Sequence, residues 1–513
     1  MYAKSPQERA REFLRVSHLF KLGELTTEQP HPATRELSRW ARDDLPRAIS
    51  VLKSVDLHAL ETTERYATEI DRLAARVRAT LDAGRRVFLV GCGATGRLAL
   101  SLEFLWRLRH PGRDRVLSFM AGGDVALVHA LEGFEDFPAH GARHLLEMGF
   151  AEGDLLIGCT EGGETPYVIG ATEEAAKISS NRPCFLYCNP DSALATSVDR
   201  FRRVHENPKI HKISLFVGPM ALTGSTRMQA STVLQLAVGC ALLHPEVPAR
   251  RLIAAFRRRV RECDFSFLAG FVEAESEIFR GGDHVIYRVN DYGITVLTDT
   301  TERAPTFSLV PFDQLNGRPV PRSLCYVSLE GADSSTDAWN RLLNRAPRPL
   351  NWPEVDPRTT PEYLYGFDFS ANVSETRRRR IPDKTHHAFR IHRAARGIRL
   401  GLGRQAHDVA VDGMPELCQH LLLKQILNIH STLVMGRLGR YEANLMTWVT
   451  PTNGKLVDRA ARYVQQLLSN AGLAGASYAG VVHRLFAEMD RARPGESVVL
   501  RTYRSLARRP EAR

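Results

Sequence analysis

An apolar run at residues 87–90 (VFLV) leads straight into Gly91, Gly93 and Gly96. This junction limits the fold more than any other stretch of the chain. Four apolar residues in succession read as a strand buried on both faces. The glycines allow a sharp turn in which backbone N–H groups converge. Residues 98–106 then read as a helix, so the turn lies at a helix N-terminus. Unpaired N–H groups and the positive dipole end favour an anion there. A G-x-G-x-x-G of this kind suits a dinucleotide or a simple phosphate. It equally suits a turn that only packs a strand against a helix.

Downstream, apolar runs recur at 116–120, 155–159, 184–188 and 213–217, with helical stretches between them. Strands alternating with helices predict a parallel sheet covered on both faces. Ligands of such sheets sit beyond the C-terminal strand ends. The candidate site is therefore the Gly91 loop together with residues 121–124, 160–166, 189–192 and 218–228.

At 513 residues, the chain predicts two or three domains. Its 43% hydrophobic and 25% charged residues are those of a globular protein. A net charge of +11 permits an anionic ligand, but no nucleic-acid module accompanies it, so nucleic-acid binding is not expected. The apolar runs are too short to span a membrane, and the first residues are charged rather than apolar. Eight cysteines, with Cys159, Cys184 and Cys188 in expected strands, read as reduced thiols and point to the cytoplasm. No second ligand pair accompanies Cys184 and Cys188, so no metal site is expected.

Five motifs then follow in order. Residues 91–98 read GCGATGRL, and AGGD at 121–124 leads to Glu132, Glu135 and Asp136. TPYVIG stands at 165–170, CNP at 188–190 and TGSTRM at 223–228. Together they resemble the sugar isomerase (SIS) domain, and within it the branch of N-acetylmuramic acid 6-phosphate etherase and the glucokinase regulatory protein. The segment holding Thr27, Glu28, Pro32 and Thr34 also resembles the start of the etherase. This resemblance implies a sugar-phosphate site and no cofactor. It implies binding roles for Gly93, Ala94, Thr95 and Gly96 in the first loop, and for Glu161, Gly162, Gly163 and Thr165 in the loop after the third strand. Glu132, Ser225 and Lys424 complete the binding set. The etherase has TSGR where this chain has ATGR, and ASGRTP where it has EGGETP at 161–166. Glu161 and Glu164 beside a phosphate repel it. Either the backbone does most of the binding, or the ligand is less charged than the family's usual one.

The etherase uses two carboxylates, one to remove a proton beside the ether carbon and one to assist departure of lactate. The first aligns with Glu135. The second lies nine residues after the loop glycine, where the first domain has Leu105, and Glu103 faces elsewhere on a helix. From residue 284 the strand–helix alternation resumes, with runs at 284–289, 324–329, 364–369 and 398–402. This second copy has lost its glycine loop. Its stretch LTDTTERAPTF at 297–307 places Glu302 on the missing carboxylate. The family's K-x-x-x-N-x-x-S-T helix has Gln235 and Gly239 in the first copy, but Lys424, Asn428, Ser431 and Thr432 in the second. It continues to TNGKL at 452–456. Each copy keeps what the other lost, as expected of a fused tandem with one composite site.

The expected fold is therefore α/β, with two tandem doubly wound, flavodoxin-like SIS domains. A helical N-terminal segment (1–60) precedes the first domain (61–245). A connecting helix (246–280) leads to the second, degenerate domain (281–440) and a helical cap (441–513). The run Arg377, Arg378, Arg379 and Arg380 reads as an exposed loop, and His386 with His387 as surface. The implied ligand is a phosphorylated sugar or amino sugar, bound by a monomer acting as an internal pseudo-dimer or by a homodimer. Two functions follow: an etherase-like lyase with Glu135 as base and Glu302 as acid, or a hexose-phosphate sensor that regulates a sugar kinase. Sugar-phosphate isomerisation is the weaker third.

Overall fold

The computed structural model describes residues 4–20, 22–314, 322–473, 475–493 and 495–508. The first sheet contains β1 (Val87–Gly91), β2 (Val116–Met120), β3 (Leu155–Cys159), β4 (Cys184–Tyr187) and β5 (His211–Ser214). Its order is β2-β1-β3-β4-β5, and all pairs are parallel. Every residue of β1 and β3 is buried, because helices cover both faces.

The second sheet contains β6 (His284–Val289), β7 (Cys325–Leu329), β8 (His386–Ala394), β9 (Gly397–Leu402) and β10 (Gln405–Ala410). Its order is β10-β9-β8-β6-β7. β6 pairs in parallel with β7 and β8, while β9 and β10 fold back antiparallel. The α/β class holds for both halves, and the second ends in an antiparallel edge. The run at 364–369 forms no strand. Pro361 at N1 and the Thr360 side chain on the Tyr363 N–H start the short helix Pro361–Tyr365 instead. Leu364, Phe367 and Phe369 are nonetheless fully buried. The arginine run is also not a loop. It ends the helix Val373–Arg380, and Arg377 is buried on Asp313 at 2.6 Å and the Ser323 carbonyl at 2.8 Å.

Six helices frame the site: α1 (Ala94–Arg109), α2 (Pro166–Ile178), α3 (Gln229–Leu243), α4 (Gly293–Phe307), α5 (Glu416–Arg437) and α6 (Gly454–Asn470). Every residue of α3 is buried, as are nearly all of α5. Helices apolar all round belong at the centre of a protein. Here they pack against each other, and against α1 and α4, where the two halves meet. Residues 246–280 form two helices, Ala249–Glu262 and Leu268–Arg280. Beyond α6 the cap continues in Tyr478–Met489 and Val498–Ala507. Among the described residues no helix is long and apolar enough to cross a membrane.

Candidate active site between the two domains

A cleft of about 460 Å³ opens where α1, α4 and the segment leading into α6 converge. The first domain contributes Gly93, Ala94, Arg97, Glu135, Ser225 and Arg227. The second contributes Thr301, Glu302 and Pro305, and the cap adds Asn453, Lys455 and Arg459. The Gly91 loop is built as its glycines require. A Cβ on Gly91 would lie 2.3 Å from the Thr95 carbonyl carbon, and Gly93 takes a φ of +54° just before α1.

Both expected catalytic carboxylates line this cleft, each held by a cation from another part of the chain. Glu302 meets Arg97 at 2.7 Å, across the domain boundary. Glu135 meets Lys455 at 2.9 Å, and the same ammonium reaches Glu164 at 2.8 Å. Burial alone would lower the Lys455 pKa, but Glu135 and Glu164 outweigh it and raise it well above its ordinary value. Arg200 also binds Glu164. Burial opposes the Glu164 charge, yet Lys455 and Arg200 hold that carboxyl down to about 2. The repulsion expected of Glu164 toward an anion is thus answered by two cations from elsewhere in the chain.

The remaining cations are also paired. Arg227 touches Asp299 at 3.1 Å and the Thr432 hydroxyl at 2.9 Å. Arg459 binds Glu28 through two nitrogens, at 2.6 and 3.0 Å. Burial would raise Glu28, but Arg459 and Arg462 hold it down to about 2. The N-terminal segment is thereby tied to the cap beside the cleft. Gly224 makes this closeness feasible. Its φ is +72°, and a Cβ there would lie 2.6 Å from the Tyr463 hydroxyl.

Of the expected binding residues, Gly93, Ala94 and Ser225 line the cleft, and the Ser225 hydroxyl is buried without a protein partner. Others stand behind its wall. The Thr95 hydroxyl closes its own turn, accepting from the Cys92 N–H and donating to the Cys92 carbonyl, both at 2.9 Å. It is therefore engaged within the turn rather than turned toward the cleft. Gly96 abuts Met120, where a Cβ would come within 2.5 Å. Thr165 pairs with Thr160 at 2.9 Å. The Gly162 carbonyl accepts from Asn189 at 3.0 Å, and Gly163 packs against Leu194. Burial, with help from Glu302 and Glu135, pushes the Glu161 carboxyl up to about 8. Glu132 opens the 3-10 turn Glu132–Phe134, and its side chain lies outside the described residues.

Lys424 also lies behind the cleft. Its ammonium donates to the Arg227 carbonyl at 2.8 Å, the Thr232 hydroxyl at 2.8 Å and Asn428 at 3.0 Å. Burial pushes its pKa down to about 8, against the attraction of Asp56. The lysine that does reach the cleft, Lys455, stands in the TNGKL motif, as does Asn453. That motif was the available signal for it. Arg97 and Arg227 sit in motifs as well, but spacing alone gives no sign of their partners on α4. Glu103 points away from the cleft, to Arg348 at 3.0 Å and the Ser118 hydroxyl at 2.6 Å.

The chain matches the family model of the glucokinase regulatory protein N-terminal SIS domain over residues 68–176. Fold and match together define an SIS-domain protein. N-acetylmuramic acid 6-phosphate etherase of Serratia proteamaculans (strain 568) is 32% identical over 219 residues, 42% of this chain and 68% of that protein. The Aeromonas hydrophila etherase is 31% identical over 218 residues, 42% of this chain and 67% of that protein. The chain belongs to the N-acetylmuramic acid 6-phosphate etherase family. It spans about two thirds of the length of the curated relatives it matches, 65% of the Bacillus licheniformis etherase 1 among them. A crystal structure of tagatose-6-phosphate ketose/aldose isomerase from Escherichia coli overlaps 78% of this chain and 97% of its own, with a TM-score of 0.41 and 13% identity.

Proposed function

We propose that the protein is an etherase-like carbon–oxygen lyase acting on a phosphorylated amino sugar with a lactyl ether, of the N-acetylmuramic acid 6-phosphate type. One observation carries the reading: Glu135 of the first domain and Glu302 of the second line one cleft. Neither domain alone holds both carboxylates. Glu135 takes the proton from the carbon next to the one bearing the ether oxygen. The electrons left behind form a double bond as the C–O bond breaks, and the departing lactate oxygen receives a proton from Glu302. Each such group contributes about 10²–10⁴-fold. Lys455 and Arg459 supply positive charge for the sugar's phosphate, with the Ser225 hydroxyl and the N-terminus of α1 as donors. Glu302 gives its proton as the carboxylic acid, so its contact with Arg97 opens before the step.

A second reading is a hexose-phosphate sensor that regulates a sugar kinase. The match to the regulatory protein's SIS domain favours it. Incubation with N-acetylmuramic acid 6-phosphate and an assay for free D-lactate separates the two. Release supports the lyase. Stabilisation by hexose phosphates without release supports the sensor.

A further inference from the structure

Behind the cleft lies a second, much smaller space of about 30 Å³, enclosed by α1, α3, α4 and α5. Its wall is mixed: Ala94 and Leu98 are apolar, and Ser101, Ser231, Gln235, Thr298, Glu302 and Lys424 are polar. Arg97, Arg227 and Glu302 line both spaces, so the two adjoin at Glu302. No sugar fits such a volume. A water needs roughly 10–15 Å³ by the same measure, so one or two fit.

Several groups on this wall have no protein partner. Nε of Arg227 is buried without one. Neither the Ser231 hydroxyl nor the Gln235 amide meets a protein group, although these residues are only 2% and 4% exposed. Buried amides and hydroxyls of native proteins are satisfied by protein or by ordered water. Lys424 forms part of the wall with four donor contacts to protein, so its charge orients a guest without needing one.

The chamber also sits where the two copies face each other. Ser101 follows Gly96 by five residues, as Thr298 follows Gly293. Gln235 holds the place on α3 that Lys424 holds on α5. A lysine at both places would set two ammonium groups against one another in a buried space. A neutral amide there keeps a polar group on the wall without the second charge.

We propose that this chamber is a built water site and that Gln235 is a positioning residue for Glu302. Its amide holds one or two waters against the Glu302 carboxyl. The positioning role rests on the reading of Glu302 as catalytic, whereas the water site does not.

A high-resolution crystal structure of the full chain tests the first part. Ordered water within hydrogen-bond distance of both Gln235 and Glu302 is expected, and its loss in Gln235→Leu. The second part is read in lactate release. In Gln235→Leu, kcat falls about tenfold with KM unchanged, the worth of one hydrogen bond to a charged group, and Gln235→Asn restores part of it. Ser231→Ala carries the same measurement should Gln235→Leu not fold. A dry chamber in the wild-type crystal overturns the water site. Wild-type kcat in these variants overturns the positioning role. A wild-type protein that releases no lactate contradicts the lyase reading, and with it the positioning role, while the crystal still decides the water site.

Discussion

Arg97 and Glu302 meet at 2.7 Å across the boundary between the two domains. Three residues earlier on the same helix, Asp299 takes Arg227 at 3.1 Å. One helix of the second domain thus holds two arginines of the first, and both arginines line the cleft. The domains are joined at the cleft itself, partly by groups that line it.

Removing one partner of such a buried pair strands the other charge. Asp299 is 3% exposed and receives Arg227, Arg303, Asn428 and the Ser431 hydroxyl. Asp299→Ala should destabilise the protein by about 3–5 kcal/mol. A urea midpoint equal to that of the wild type would remove this network from the account.

Lys455 bridges Glu135 and Glu164, and in the proposed function its charge also meets the phosphate. Lys455→Met should weaken sugar-phosphate binding by about 1.5–3 kcal/mol, the value of a charge-assisted hydrogen bond. A thermal-shift titration reads it directly. Unchanged affinity would place the phosphate elsewhere in the cleft.

Three buried carboxyls, Glu28, Glu103 and Glu164, are held at about 2 by neighbouring arginines and Lys455, against an ordinary 4.5. A depressed folded value means that the unfolded chain binds protons first. The stability each contributes is present above pH 4.5 and is lost as the pH falls through about 2. Urea midpoints should therefore drop across that window. Glu28→Gln should start lower and show a shallower drop, and an unchanged slope would contradict its pairing with Arg459.

Arg377 is buried on Asp313 and the Ser323 carbonyl, whereas Arg378 and Arg379 are exposed. Arg377→Ala should cost about 3–5 kcal/mol, and Arg379→Ala less than about 0.5 kcal/mol. Equal effects in chemical unfolding would show that the run acts as a unit.

Four strands of the first sheet were legible because they are largely apolar runs, whereas the fifth, His211–Ser214, starts two residues before the apolar run at 213–217 and is mostly polar. The edge of the second sheet was not legible. In β8, Phe389 and Ile391 alternate with exposed Arg390, and His386, His387 and His392 obscure the period. At 364–369 the apolar residues are buried as a strand's would be, but Thr360 and Pro361 begin a helix. Glu135 was legible from the EGFED motif at 132–136, and Glu302 from the likeness of LTDTTERAPTF at 297–307 to the etherase stretch. Their cations were not. Lys455 lies 320 residues from Glu135, and Arg97 lies 205 from Glu302. Pairings of that range depend on how two domains dock, which no local pattern records. Lys424 shows the converse. Its motif is intact, but the packing of α5 turns the ammonium to the Arg227 carbonyl, behind the cleft.

The central claim is that one cleft, shared by both domains, uses Glu135 and Glu302 together. Free D-lactate should be measured after incubating N-acetylmuramic acid 6-phosphate with the wild type, Glu135→Gln and Glu302→Gln. The account predicts release by the wild type and a loss of about 10²–10⁴-fold in each variant, with the sugar phosphate still bound. Turnover at the wild-type rate in either variant would contradict it.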